Sequence, residues 1–326
     1  MGLGAYIIRR ILLVIPTFFI ATVIIFSLIH FAPGDPIKLM FAESGHPVSP
    51  EIVEQVRKRL ALDQPLYVQY LIWIGKMLSG DLGISYGVAF GRPVLSLITE
   101  RIWVTVALMG AAEAISIVFA VALGVIAAAK QYSVIDNVSS VSALIGYSMP
   151  TFWTGLVSIM VFAVWLGVLP SFGIVTHGVE LGATERTIDF ARHLILPVIV
   201  VSFVYTAYLF RLVRSNMLEV LRQDYITTAR AKGVGERTVI YKHALRNTLL
   251  PTVTFIGLSI GFILSGAVVV ETVFSIPGLG SLFIEFALKR DYPALMGLSV
   301  MITVMVLLAN LCADIAYSLM DPRIRY

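Results

Sequence analysis

The chain has 326 residues, 58% of them hydrophobic and 13% charged, with a mean hydropathy of +0.89 and a formal net charge of +4. Soluble domains carry roughly a quarter charged residues, so one water-facing core cannot hide this much apolar surface, and a lipid bilayer is the solvent that fits. The small net charge makes no case for a nucleic-acid partner, and the single cysteine, Cys312, excludes an internal disulfide framework or a multi-thiolate metal site.

A helix that crosses a bilayer needs roughly 20 mostly apolar residues. Six stretches qualify: 11–31, 102–129, 138–168, 194–210, 249–270 and 294–313. The expected fold class is therefore all-α integral membrane with six transmembrane helices. The first stretch follows Arg9-Arg10, as a signal peptide would. Its apolar run exceeds a usual signal core and no small-x-small cleavage site follows, so it reads as a retained helix. The chain divides into an N-terminal region and first span (1–32), an outer subdomain (33–100) and a five-span core (101–326) that includes a basic loop at 214–248.

In the outer region, Ser49-Pro50-Glu51 has the pattern of a helix start: a capping hydroxyl, a proline at the first helical position and an acid in the first turn. Ile52, Val56 and Leu60 then form one apolar stripe. A second helix is expected over 66–79, carrying Tyr70, Trp73 and Met77, side chains suited to a membrane interface. Two readings remain open, a docking surface for an outside partner and a cap over the helix bundle.

Span two carries Glu113 in mid-run, and a charge at that depth is costly enough to suggest a pathway-lining or helix-pairing role. A structural hydrogen bond explains it equally well. Span three is long enough to tilt or to include an interfacial turn. Beyond span four, Arg211 and Arg214 are expected to snorkel to the inner interface.

The run Asp224-Tyr225-Ile226-Thr227-Thr228-Ala229-Arg230-Ala231-Lys232-Gly233-Val234-Gly235-Glu236-Arg237 follows. Good helix formers lead to Gly233 and Gly235, either of which can end a helix by adopting positive φ. A second helical pattern at 238–247 leads into span five. This basic helix–turn–helix is too polar to insert, and it suits docking into a groove on a cytoplasmic partner. Its competitor is an ordinary positive loop on anionic headgroups. Glu271 and Asp314 lie near span ends, within reach of water. Cys312, inside span six, is expected to be a small buried hydrophobe. Between Glu271 and span six, Ile276-Pro277-Gly278-Leu279-Gly280 is a candidate tight turn or re-entrant plug, with Pro277 and Gly278 as gate residues; a plain connecting loop is the alternative.

With the N-terminus inside, 13 of the 24 basic residues fall on the cytoplasmic side, and the local density in the loop between spans four and five decides the orientation. Both termini are then cytoplasmic. No Gly-x-x-x-x-Gly-Lys-Ser/Thr phosphate loop occurs, Gly233-Val234-Gly235 is too short for a nucleotide fingerprint, and the five histidines are scattered. The chain is therefore expected to be no enzyme by itself and to hold no metal.

The basic loop resembles the cytoplasmic signature of ABC-importer permeases. Gly233 falls on the signature glycine and Thr227-Thr228-Ala229 on its Glu-Ala-Ala positions. The departures resemble the dipeptide/oligopeptide/nickel branch, as do Ala32-Pro33-Gly34-Asp35-Pro36, Leu62-Asp63-Gln64-Pro65, Gly80-Asp81-Leu82-Gly83, Tyr147-Ser148-Met149-Pro150-Thr151, Glu271-Thr272-Val273-Phe274-Ser275-Ile276-Pro277-Gly278 and Asp321-Pro322-Arg323. The resemblance spans nearly the whole chain. It implies a plasma- or inner-membrane subunit that pairs with a second, homologous permease. Two ATPase subunits or domains, which carry ATP and Mg, would drive it, and an extracytoplasmic binding protein would load it. Lipid is the remaining partner. Asp224, Tyr225, Thr227, Thr228, Ala229, Arg230, Ala231, Lys232, Gly233 and Arg237 would then couple to the ATPase, with Arg230, Lys232 and Arg237 meeting acidic groups there. Peptides are the implied substrate class, with oligosaccharide, glutathione or a nickel chelate as alternatives. From another class, an ion-coupled secondary transporter calls for midplane carboxylates or broken helices in paired repeats, and Glu113 is the one carboxylate that supports it.

Overall fold

A computed structural model of the chain describes residues 3–31, 37, 50–265 and 268–320. The motif at 32–36, Ser49 and the Asp321–Tyr326 ending lie outside the described residues. Those described form helices and turns, with one isolated bridge between Ile84 and Pro93.

In chain order the helices are α1 (Leu3–His30), α2 (Pro50–Arg59), α3 (Leu66–Leu78), α4 (Val94–Ala129), α5 (Val134–Ser148) and α6 (Thr151–Ser158), the last continuing through a π-helical turn, Ile159–Trp165. Then come α7 (Ala183–Leu221), α8 (Asp224–Ala231), and α9 (Leu245–Ser265), which is approached through Glu236–Thr238 and the π-helical Val239–Ala244. The chain ends with α10 (Val268–Val273), α11 (Leu279–Leu288) and α12 (Tyr292–Met320). Among the described residues, four helices contain segments long and apolar enough to cross a membrane: Ile7–Leu28, Val94–Ala129, Ala183–Leu221 and Tyr292–Ile315.

The third expected span is not one rod. α5 and α6 together are apolar enough to cross, but the axis bends by 105° between them. Met149 sits at φ −79°, ψ 132° and Pro150 at φ −59°, ψ 130°. Proline lacks the amide hydrogen and disfavours the helical conformation in the residue before it, so the helix stops there and restarts.

Helices also outrun their apolar centres. α7 has 39 residues against a stretch of 194–210 expected from hydropathy. At 1.5 Å per residue it is longer than the hydrocarbon is thick. Its charged ends, Glu185 and Arg186 on one side and Arg211 and Arg214 on the other, therefore project beyond the apolar centre. α4 likewise opens at Val94, inside the stretch assigned to the outer region.

The two longest helices, α4 and α7, pack along each other, and α12 packs on both α1 and α9. At one end of α4, Val94, Leu97 and Ile98 meet Leu279, Leu282, Phe286, Ala294 and Leu298 from α11 and α12. At its other end, Val125 and Ala128 meet Val213, Met217, Ile226, Val239 and Ala244. α8 and the α11–α12 junction therefore lie at opposite ends of the bundle. Arg10 of α1 pairs with Asp314 of α12 at 3.0 Å, which brings the start of the first helix beside the end of the last. Beyond the α11–α12 end, Val56 from the predicted stripe packs with Ile37 and Tyr86, and Leu60 lies against them. The side chain of Ile52 is outside the described set.

Cys312 is exposed, against expectation. A membrane helix is apolar all round, so hydropathy does not reveal which side faces its neighbours.

Candidate functional site

α8 is held by one residue and stopped by another. Ile226 is completely buried among Val213, Met217, Val239 and Ala244, and Ala229 packs beside it. At the C-terminus, Gly233 takes φ 77°. Its N–H donates to the Arg230 carbonyl at 2.9 Å, and the Val234 N–H donates to the Ala229 carbonyl at 3.2 Å. This pair of bonds is a Schellman closure, with Ala229 and Val234 supplying its apolar contact. Gly235, the other expected stop, has φ −60° and instead starts the next turn. One left-handed residue is enough to reverse the chain.

The remaining residues of α8 face outward. Asp224, Tyr225, Thr227, Thr228, Arg230, Ala231 and Lys232 are exposed, as is Arg237 beyond the turn. Thr228 Oγ1 donates to the Asp224 carbonyl at 2.9 Å, and Asn247 Nδ2 donates to the Tyr225 hydroxyl at 2.8 Å. Arg230 is paired within the chain. Its Nε and Nη2 donate to the two Glu236 carboxylate oxygens at 3.1 and 2.7 Å. These hydrogen bonds hold the Glu236 carboxyl below its ordinary range and raise the Arg230 guanidinium above its own. Lys232 and Arg237 are thus the exposed cations of the segment for which the structure shows no such clasp.

Behind α8, Arg214 does not snorkel. Its Nε and Nη2 donate to Asp136 at 2.5 and 2.9 Å, and that carboxylate also accepts from the Tyr132 N–H at 2.9 Å. Asp136 is 1% exposed at the start of α5, where Ser133 caps the helix. The pair ties the α4–α5 turn to the stem of α7 that leads into α8. Arg211 lies over the Tyr147 ring, 5.7 Å from its centroid.

Towards the other end, the predicted Pro277-Gly278 turn closes around a carboxylate. Glu271 is fully buried; its Oε1 accepts from Thr105 Oγ1 and its Oε2 from the Ser281 N–H, both at 2.8 Å. Thr105 Oγ1 in turn accepts from the Leu279 N–H at 2.8 Å. The carboxylate therefore fills the N-terminus of α11, where free N–H groups favour an anion. A Cβ on Gly278 would collide with the Glu271 carboxyl unless that side chain moved. Thr105 is about three turns into α4. The turn thus lies below the end of the bundle, and α11 climbs back to Asp291.

Asp291 is also completely buried. It accepts from Ser85 Oγ at 2.6 Å and from the backbone N–H groups of Tyr86, Gly87 and Val88 at 2.9–3.2 Å. Glu113 is 6% exposed, and its Oε1 accepts from Ser259 Oγ of α9 at 2.6 Å. Its Oε2 is buried with no hydrogen-bond partner among the described residues. Glu113, Pro277 and Gly278 are not brought into one cluster with the α8 residues. No local pattern pairs Asp291 with Ser85 or Glu271 with Thr105. The Ser133-x-x-Asp136 capping pattern was the one signal that could have flagged Asp136.

The family described as binding-protein-dependent transport system inner membrane component matches residues 120–326, and its N-terminal membrane-component counterpart matches 3–109. The oligopeptide transport system permease protein AppB of Bacillus subtilis is 44% identical over 324 residues, covering 99% of this chain and 100% of that one. The dipeptide transport system permease protein DppB of Escherichia coli strain K12 is 40% identical over 338 residues, with 98% of each chain covered. Among solved structures, the inward-facing MetNI methionine ABC transporter aligns with a TM-score of 0.56 at 17% identity, covering 71% of this chain and 99% of that one, a likeness of fold. Matched end to end by both halves of the family and by full-length relatives, the chain belongs to the binding-protein-dependent transport system inner membrane components, as a multi-pass permease subunit.

Proposed function

We propose that the chain forms half of the translocation pathway of an ATP-driven importer of peptides, and that α8 is its coupling element. The observation that carries this reading is the two-sided character of α8. Its inner face is locked into the bundle through Ile226, while its outer face presents polar and basic side chains that nothing in the described chain covers. A short rigid helix fixed to the stems of α7 and α9 can pass a partner's displacement to both. The partners would be a second, homologous permease, two ATPase subunits or domains that carry the ATP and Mg, and an extracytoplasmic binding protein. No cofactor is assigned to this chain. The peptide class rests on what the relatives' names say they transport.

Six crossings follow, by α1, α4, the bent α5–α6 pair, α7, α9 and α12, with both termini and α8 in the cytoplasm. The Arg10–Asp314 pair supports placing the first and last helix ends on one side. Residues 33–100 then lie outside, within reach of the binding protein.

The test is peptide-stimulated ATP hydrolysis by the reconstituted complex. Replacing Lys232 and Arg237 together by glutamate is expected to lower it at least tenfold while the subunit still inserts and assembles. Undiminished stimulation would defeat the assignment of α8. Accumulation of peptide by the chain alone, under an ion gradient and without nucleotide, would favour a secondary transporter instead.

A further inference from the structure

α10 is a six-residue helix that stops inside the apolar layer. Its Val270, with Phe274 and Ile276 beyond it, packs with Leu108, Met109 and Ala112 of α4, within the apolar stretch 102–129. Ser275 ends the helix at φ 52°. Its N–H donates to the Thr272 carbonyl at 3.2 Å, and the Ile276 N–H donates to the Glu271 carbonyl at 2.7 Å. The Val273 carbonyl would find its helical donor four residues on, where Pro277 has no N–H. One side of this broken element is sealed, since Val270, Glu271, Phe274 and Ile276 are all buried. The other side is open. Val269 and Thr272, three apart and so on one face, are exposed, as is Ser275 at the stop. Thr272 Oγ1 donates to the Val268 carbonyl at 2.7 Å, whereas the Ser275 hydroxyl has no partner among the described residues.

Irregular backbone is not left facing hydrocarbon; at that depth it is buried in protein or lines a water-filled passage. In secondary transporters, discontinuous membrane helices form the substrate site for this reason. We propose that the face formed by Val269, Thr272 and Ser275 lines the passage through which the peptide moves, and that Ser275 Oγ bonds to the backbone of the passing peptide. A hydroxyl both donates and accepts, so it meets a peptide N–H or a peptide carbonyl, whichever is presented. The three side chains carry no charge, so the contact does not sort peptides by the sign of their side chains. Behind the face, Glu271 fixes the stop against α4 and α11 through Thr105 and the Ser281 N–H. The inference rests on the importer reading above and says where in this chain the substrate passes.

The test is cysteine labelling in the complex reconstituted with its ATPase subunits and binding protein. Thr272→Cys, Ser275→Cys and the buried Val270→Cys are each made in a Cys312→Ser chain, because Cys312 is exposed. A charged, water-soluble methanethiosulfonate is expected to label positions 272 and 275 at least tenfold faster than position 270, in the presence or the absence of ATP and vanadate. Peptides from a casein digest should slow that labelling at least threefold. Positions 272 and 275 unlabelled in both states would place the face against the second permease, and labelling by a lipid-soluble maleimide alone would place it against lipid. Either result overturns the proposal, as does labelling that peptides do not slow. Ser275→Gly separates the hydroxyl from the bend, because glycine keeps the left-handed conformation. A threefold or greater fall in the rate of peptide import is expected, and an unchanged rate overturns the hydroxyl contact. Import by the unsubstituted complex is measured in parallel. Import with unlabelled cysteines sinks this inference alone, whereas no ATP-driven import of peptide sinks the importer reading.

Discussion

Glu271 and Glu113 are both buried acids, and their surroundings give them different work. Glu271 accepts from a threonine hydroxyl and from a helix N-terminus, so it acts as a fixed strut between α4 and α11. Glu271→Ala leaves those donors facing a void and is expected to cost about 2 kcal/mol or more, read as a lower thermal midpoint of the purified chain. An unchanged midpoint would show that the strut bears no load. Glu113 has one donor and one oxygen without a partner, so an amide of the same shape should serve there as well. Glu113→Gln is therefore expected to leave peptide import within about threefold. A loss beyond tenfold would give the carboxyl a titrating role in the pathway. The sequence marked Glu113 because an acid in an apolar run stands out. It could not weigh Glu271, whose partner Thr105 is 166 residues away in the chain.

α8 was legible because its polar face and its glycine stop are local signals. Gly233→Ala is expected to cost about 1 kcal/mol, since a Cβ disfavours the left-handed conformation. Faster amide exchange in α8, with the bundle helices unaffected, would register it; equal exchange would refute the closure. The Arg230–Glu236 clasp adds a pH dependence. Arg230 depresses the Glu236 carboxyl from an ordinary 4.5, so the clasp stabilises the turn above pH 4.5 and is lost as pH falls through the depressed value. The pair is exposed and its contribution small. The protection of α8 amides relative to their intrinsic exchange rates should fall below pH 4.5, and Glu236→Gln should abolish that acid-dependent step. Hydropathy alone did not register the clasp, and for span three its length left a tilt and a turn both open, although Pro150 held the cause of the α5–α6 bend. A sliding average sees apolar content and not backbone hydrogen bonding.

Across the whole molecule, the Asp136–Arg214 pair links the α4–α5 turn to the stem of α8. Removing Arg214 strands the buried Asp136 carboxylate, and removing Asp136 strands the half-buried Arg214 guanidinium. Asp136→Asn and Arg214→Met are each expected to destabilise the chain by about 3 kcal/mol, and the double variant by clearly less than their sum. Additive losses in thermal or denaturant unfolding would show that the two do not act as a unit. The amino-acid sequence by itself determined the membrane as solvent, the approximate place of four spans, the surface helix α8 and the family, because composition, apolar run length and local helix signals are properties of short stretches. Only the tertiary structure decided that Arg230 is clasped, that Pro277-Gly278 wraps Glu271 and that Asp291 gathers the 85–88 backbone. Those outcomes depend on residues far apart in the chain being brought within hydrogen-bonding distance, and an apolar helix that looks alike on every side does not say which side that will be.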